Sequence, residues 1–352
     1  MDSRSPQAFD SRYLVAFGAG LAAALLCLVA RQGTLPAYFL AYFTPLPIMI
    51  ATVGFGAMPG LAAALVGTTT IIVYVAARPG DFWTARLLSA ALLGGIFAVT
   101  LGLPAWWLAR LARLTRTDEG SWRDAARLPV VKGEARVFYP VGRILASGVV
   151  VAFAIITLTV LAIVLDEGGF DAIIDRLAAK LAPYVLDFVG TRELPAGVNL
   201  QDLSRFYVRL MPPVATYVYL LLVAANLWLA ARVAQVSNLL VRPWPDIAQE
   251  LRLPRPFALA LLASAALSAL DGLTGTIAAC AAAALGIGFA LQGLAVIHAL
   301  TRNLKFRAAL LAAIYAAAAL LPLMLFPLAT VGLLDAGFSF RARKALAAPQ
   351  NT

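Results

Sequence analysis

Apolar residues in this chain run in nine long blocks, near 13–30, 36–56, 58–77, 84–109, 140–165, 208–231, 256–270, 274–301 and 307–334. A block of about twenty apolar residues carries a helix across the roughly 30 Å hydrocarbon core of a bilayer. Only folds that satisfy every backbone amide internally are stable there, which leaves helical bundles and closed β-barrels. Barrel strands alternate apolar with polar residues, whereas these blocks are continuous. The fold class that follows is all-α: a polytopic transmembrane helical bundle with eight or nine membrane helices and one interfacial amphipathic helix. Composition agrees, with 62% hydrophobic and 13% charged residues, against about 45–50% and 25% in soluble domains.

Several function classes drop out. The net charge of +10 is explained by basic residues at the cytoplasmic ends of membrane helices, so no nucleic acid partner is expected. Cys27 and Cys280 lie inside apolar blocks and read as small packing residues. A single histidine, His298, excludes a multi-histidine metal site. The H-E-x-x-H, G-x-S-x-G and P-loop patterns are missing. No catalytic residue, metal ligand or cofactor is therefore assigned, and the expectation is a protein that is not an enzyme. Arg4, Arg12 and the run from Tyr13 to Ala30 have the outline of a signal peptide. Arg31 follows at once without an A-x-A site, so an uncleaved first helix is expected.

The links between blocks sort by charge. Residues 110–136 carry Arg110, Arg113, Arg116, Arg123, Arg127, Lys132 and Arg136 against four acidic groups, whereas 166–205 is mostly acidic. Basic links belong in the cytoplasm, which also places the N-terminus there. The expected organisation is a cytoplasmic tail over 1–12 and a membrane core over 13–231, which includes a cytoplasmic loop at 110–138 and an external amphipathic segment at 166–205. A cytoplasmic loop over 232–255, C-terminal membrane helices over 256–340 and a basic tail over 341–352 complete it. Within 166–205, Phe170, Ile173, Ile174, Leu177, Leu181, Val185 and Phe188 recur at helical spacing. Such a helix lies in the outer interface or forms a lid.

Inside the blocks, Ala90, Gly94, Ala98 and Gly102 stand four apart and put small residues on one helix face. Gly94, Ala98 and Gly102 are the candidate helix-packing residues. Gln292 shares a face with Gly288, Ala295 and Ala299, and Asn226 lies within the sixth block. These two amides are the candidate substrate-binding residues. A buried amide needs a partner. For Gln292 it is either Asn226, as structural glue, or a ligand or water in a cavity. Asp271, His298 and Asp335 are expected near the interfaces. Finally, Pro45 and Pro47 interrupt "FTPLPIMIATVGFGAMPG", residues 43–60. An interior proline costs a helix about 3 kcal/mol. Either the helix begins at Pro47, or protein surrounds the freed carbonyls.

Residues 43–67, "FTPLPIMIATVGFGAMPGLAAALVG", resemble the second helix of substrate-binding S components of energy-coupling-factor transporters. That resemblance implies a core that binds a small solute and docks an energy-coupling module through Ala19 and Ala23. Six helices are usual there, fewer than here. Residues 291–344 look like the end of the YybS-like bacterial membrane proteins, domain of unknown function 2232. The matching residues are Gln292, Gly293, Leu294 and Ala295, then Pro322, then Gly332, Leu333, Leu334, Asp335, Phe338, Phe340 and Arg341. "YPVGRIL", residues 139–145, opens the fifth block in that family's manner. This resemblance implies no activity. Two functions stay open: a transporter-like protein that binds a small solute, and a non-enzymatic scaffold that recruits cell-envelope or division proteins. Expected partners are the lipid bilayer and other membrane proteins, an energy-coupling module or envelope proteins, in a bacterial inner membrane.

The topology is testable with single cysteines at Gly120 and Gly190 of a Cys-free variant. In intact spheroplasts an impermeant maleimide should label position 190 and spare position 120. Labelling at 120 alone reverses the orientation.

Overall fold

A computed structural model describes residues 11–78, 83–117, 120–127, 136–166, 168–189 and 199–347; Gly190 lies outside them. Among these, seven helices are long and apolar enough to cross a membrane: α1 (Ser11–Gln32), α2 (Leu35–Phe55), α3 (Ala57–Ala76), α4 (Trp83–Leu111), α5 (Val141–Asp166), α7 (Leu200–Val236) and α10 (Gly272–Leu300). The amphipathic helix is α6, Phe170–Val189. Shorter helices follow: α8 (Ile247–Glu250), α9 (Pro256–Leu267), α11 (Arg307–Leu320), α12 (Leu325–Phe338) and α13 (Phe340–Ala347). The chain is thus a multi-pass helical membrane protein, and the expected eight or nine spans differ from the seven found. The seventh block yields only the 12 residues of α9. The ninth divides at Leu321, whose extended backbone (φ −125°, ψ 94°) separates α11 from a turn at Pro322. Two helices of 14 residues result, each well short of the roughly twenty needed.

The chain forms two compact units, Met1–Ile144 with Leu222–Pro245, and Leu145–Leu221 with Asp246–Thr352. In the first, α1 crosses α3 closely. A Cβ on Gly20 would overlap the Ala63 carbonyl, so only glycine permits this approach. Helix α4 lies on α3 through Ala90 and Gly94, the latter against Ile72 and Thr68 O. Pro104 has no N–H for the carbonyl four residues before it, and the helix widens to π geometry over Ala98–Gly102 just ahead of it. Thr68 and Thr70 donate to Ala64 O and Val66 O, their own helix's carbonyls.

The 110–138 link also carries a small antiparallel sheet, an element that membrane-helix patterning does not reveal. Its strands are β1 (Leu114–Thr117), β2 (Arg123–Asp124) and β3 (Arg136–Phe138), in the order β2-β1-β3. Thr115 pairs with Arg123 on one side and Phe138 on the other. Arg116 lies 4.9 Å over the Trp122 ring, and Trp122 meets Tyr139 edge-on.

In the second unit α10 is central, with 61% of its most apolar stretch buried, against 17% for α5. It packs along α12, where Gly293 and Gly332 face each other's helix. A Cβ on Gly293 would overlap Leu328 O, and one on Gly332 would overlap Phe289 O. Helix α7, at 37 residues, extends roughly 55 Å, longer than the hydrocarbon core. Its first turns instead pack against α6, where Ile174 and Ala178 form a buried cluster with Val208. Arg205 bonds Asp175 at 2.7 Å over this contact.

Gly293→Val should strongly lower the melting temperature in detergent, because the opposing atom is backbone and cannot rotate away. Gly286→Ala, where a Cβ meets nothing within 4 Å, should keep the melting temperature or raise it, through up to about 1 kcal/mol of helix propensity. Equal melting of both variants and the parent would rule out the close α10–α12 contact.

Candidate functional site

The most polar buried cluster gathers on α10, α12 and the 246–253 loop. It begins with Gln292, which is 1% exposed among Gly288, Ala295 and Ala299, all buried on the same helix. Its Oε1 accepts from the Leu253 backbone N–H at 2.8 Å. Its Nε2 donates to Gly332 O at 3.0 Å and approaches Asp335 Oδ2 at 3.5 Å. Leu253 is held where Pro254 interrupts the chain, and Gly332 is where α12 touches α10. One side chain thus ties a loop to two helices.

Asp335 and Arg341 complete the cluster. Ser339 takes a left-handed conformation (φ 52°, ψ 48°) after α12, which turns the chain back so that a residue six positions on meets Asp335. The Arg341 Nε and Nη2 reach Asp335 Oδ2 at 3.1 and 2.6 Å. The side chains are 0% and 2% exposed, so each charge depends on the other. The remaining Arg341 donors go to backbone: Nη1 to Ala248 O at 2.9 Å and Nη2 to Leu251 O at 3.0 Å. These carbonyls end the one-turn helix α8 and have no following turn to bond them. Asp335, expected near an interface, is therefore a buried ion-pair partner. A lone Asp in sequence does not reveal this, because its arginine arrives through a turn.

Asn226 sits in the first unit. Its Nδ2 donates to Tyr42 O and Leu222 O, both at 2.9 Å. The Tyr42 partner answers the proline question. Between the two pieces of α2 the chain tightens, with Leu46 N–H bonding Phe43 O and Thr44 N–H bonding Ala41 O. The Tyr42 carbonyl loses its ordinary donor at this break, and Asn226 supplies one. Among the described residues, the buried Asn226 Oδ1 has no hydrogen-bond partner. At the other end of α2, Gly56 (φ 128°) makes the turn into α3, and a Cβ on Gly60 would overlap Thr52 down to its Cα.

Arg113, 3% exposed, does in the first unit what Arg341 does in the second. Its Nε and Nη2 bond Asp124 at 3.0 Å each, and Nη1 bonds Val53 O at 2.6 Å. Val53 lies in the last turn of α2, whose carbonyls face no further helix.

The other candidates lie apart from these clusters. Ala23 is buried in the contact of α1 with its own unit, and Ala19 is half-buried. Gly102 is buried, a Cβ there would meet Ala64 at 3.6 Å, an ordinary contact, and Ala98 is half-buried. Sequence reasoning passed over Arg113, Asp124 and Arg341 as single sites. None of the three stands next to a proline or glycine, so no local break in the sequence marks them.

The fold is that of a multi-pass α-helical membrane protein. The chain belongs to the family described as predicted membrane protein (DUF2232), which matches residues 140–336, more than half of its length. That stretch holds Gln292, Gly332 and Asp335. No curated protein and no solved structure matches the chain.

Gln292→Leu should destabilise the protein by about 1–3 kcal/mol, because the buried Leu253 N–H is left without an acceptor. Asp335→Asn, which leaves Arg341 buried without a counter-charge, should cost about 3–5 kcal/mol. In a double-mutant cycle with Arg341→Gln the two losses should be strongly non-additive; additive losses in denaturant unfolding would dissolve the pair.

Proposed function

We propose that the protein is a non-enzymatic scaffold of a bacterial inner membrane that presents the β2-β1-β3 sheet to a cell-envelope or division protein. The observation that carries this reading is the Arg113 clamp. It joins Asp124 on the sheet to Val53 in a membrane helix, so the sheet is a fixed platform and not a slack linker. A fixed strand edge with an exposed residue such as Val137, 42% exposed on β3, offers the backbone pairing by which strands recruit partners. The basic links support a cytoplasmic platform and N-terminus. The saturated bonds of Gln292, Asp335 and Arg341 also favour a structural core.

A second reading, the transporter-like binding of a small solute, is favoured by one observation: among the described residues, the buried Asn226 Oδ1 has no partner. A solute donor or a water placed there would satisfy it.

Purification of the full chain from native membranes in mild detergent, with mass spectrometry of proteins and metabolites, separates the two. The scaffold reading expects an envelope or division protein that is retained by the parent and lost from Val137→Asp, with unchanged melting temperature. A metabolite retained by the parent and lost from Asn226→Leu, without any protein partner, replaces it with the solute reading.

A further inference from the structure

In the first unit a groove of about 680 Å³ opens where α3 begins and α4 ends. Met58 and Leu61 on the first turns of α3 give it an apolar side. Trp106 from α4, Trp122 beside the sheet, and the cations Arg110 and Arg123 also line it. Trp106 is fixed by an Nε1 bond to Ala57 O at 2.8 Å. The Arg110 guanidinium lies 5.6 and 5.4 Å over the rings of Trp106 and Trp107. Asp124 also lines the groove, but its carboxylate is engaged by the Arg113 fork. Among the described residues, Arg110 and Arg123 form no ion pair. An apolar side at the end of two membrane helices, two indoles and two uncompensated cations occur together here.

We infer that this groove is a binding site for an anionic phospholipid. Charge complementarity selects the headgroup: Arg110 and Arg123 offer cations that, among the described residues, no carboxylate engages, and arginine suits phosphate through its planar fork. Depth selects a lipid over a soluble anion. The apolar side belongs to membrane helix α3, so an acyl chain continues along Met58 and Leu61 where a free phosphate ester leaves apolar surface uncovered. Indole rings at the helix ends belong at headgroup level, and basic pockets between membrane helices are suited to acidic headgroups. The site lies at residues 57–124, outside the stretch the family matches. It does not depend on the scaffold reading.

The test uses the full chain in detergent, delipidated and then supplied with phosphatidylglycerol, phosphatidylcholine or glycerol 3-phosphate. Retention is read by native mass spectrometry and stabilisation by thermal shift. Phosphatidylglycerol should be retained and should raise the melting temperature; phosphatidylcholine and glycerol 3-phosphate should do neither. Arg110→Gln and Arg123→Gln should each lower phosphatidylglycerol retention about fivefold, whereas Lys305→Gln, a cation elsewhere, should leave it unchanged. If Arg110→Gln melts below the parent without lipid, exposed Arg123→Gln alone decides. Equal retention of the two phospholipids overturns the site, as does full retention by Arg123→Gln or a loss with Lys305→Gln matching that of the groove variants. Stabilisation by glycerol 3-phosphate equal to that by phosphatidylglycerol overturns the lipid as occupant.

Discussion

A backbone carbonyl without a donor is the dominant hazard for a chain inside a bilayer, where no water replaces the missing bond. This chain breaks its helices often, at Pro45, at Gly56, after Glu250 and after Phe338, and each break exposes carbonyls. The structure answers with side-chain donors brought from distant sequence. Asn226 serves Tyr42, Arg113 serves Val53, and Arg341 serves Ala248 and Leu251. Without these bonds, burying the apolar faces would leave each broken end with unsatisfied carbonyls.

Arginine is well suited to this task. Its guanidinium presents five donors in a rigid plane, enough to bind a carboxylate through one edge and carbonyls through another. Arg113 and Arg341 both do so, with Asp124 and Asp335 as their counter-ions. A lysine would neutralise the aspartate but could not span both sets of acceptors, having three donors on one flexible atom. The buried charge is thereby a joint that carries backbone bonds. An ion pair replaced by apolar residues can be neutral in many folds. Here the same replacement would also strand carbonyls at α2 and α8, and the two effects would add.

Much of the architecture was legible because hydrocarbon imposes length. The apolar blocks mark the seven spans, and the apolar spacing from Phe170 to Val185 marks the amphipathic helix. The small-residue face of α10 correctly suggested that Gln292 is turned inward. Three things were not legible. The 114–138 sheet is built from strands of two to four residues, too short for a periodic signal, and the contacts among Arg116, Trp122 and Tyr139 beside it carry none either. The Asp335–Arg341 pair depends on a left-handed Ser339, a conformation no serine advertises. The partners of Gln292 are backbone groups of Leu253 and Gly332, and sequence carries no mark for a loop N–H in need of an acceptor.

These facts bear on where chemistry can occur. The ionised groups of the Asp335 cluster are engaged in bonds that hold the fold, so recruiting one for a ligand would break a structural joint. The interface near α3 and α4 differs in kind. There Arg113 has already neutralised Asp124 and fixed the segment that carries Trp122 and Arg123. The cations left over, Arg110 and Arg123, are not required by any broken helix. A protein that commits its deep polar groups to its own backbone, yet leaves arginine facing headgroup depth beside indole and apolar side chains, concentrates its capacity for recognition at the membrane surface. The same Arg113 joint then has two consequences, a sheet tied to α2 and an Asp124 held in the lining of the groove, because one guanidinium bonds both Asp124 and Val53 O.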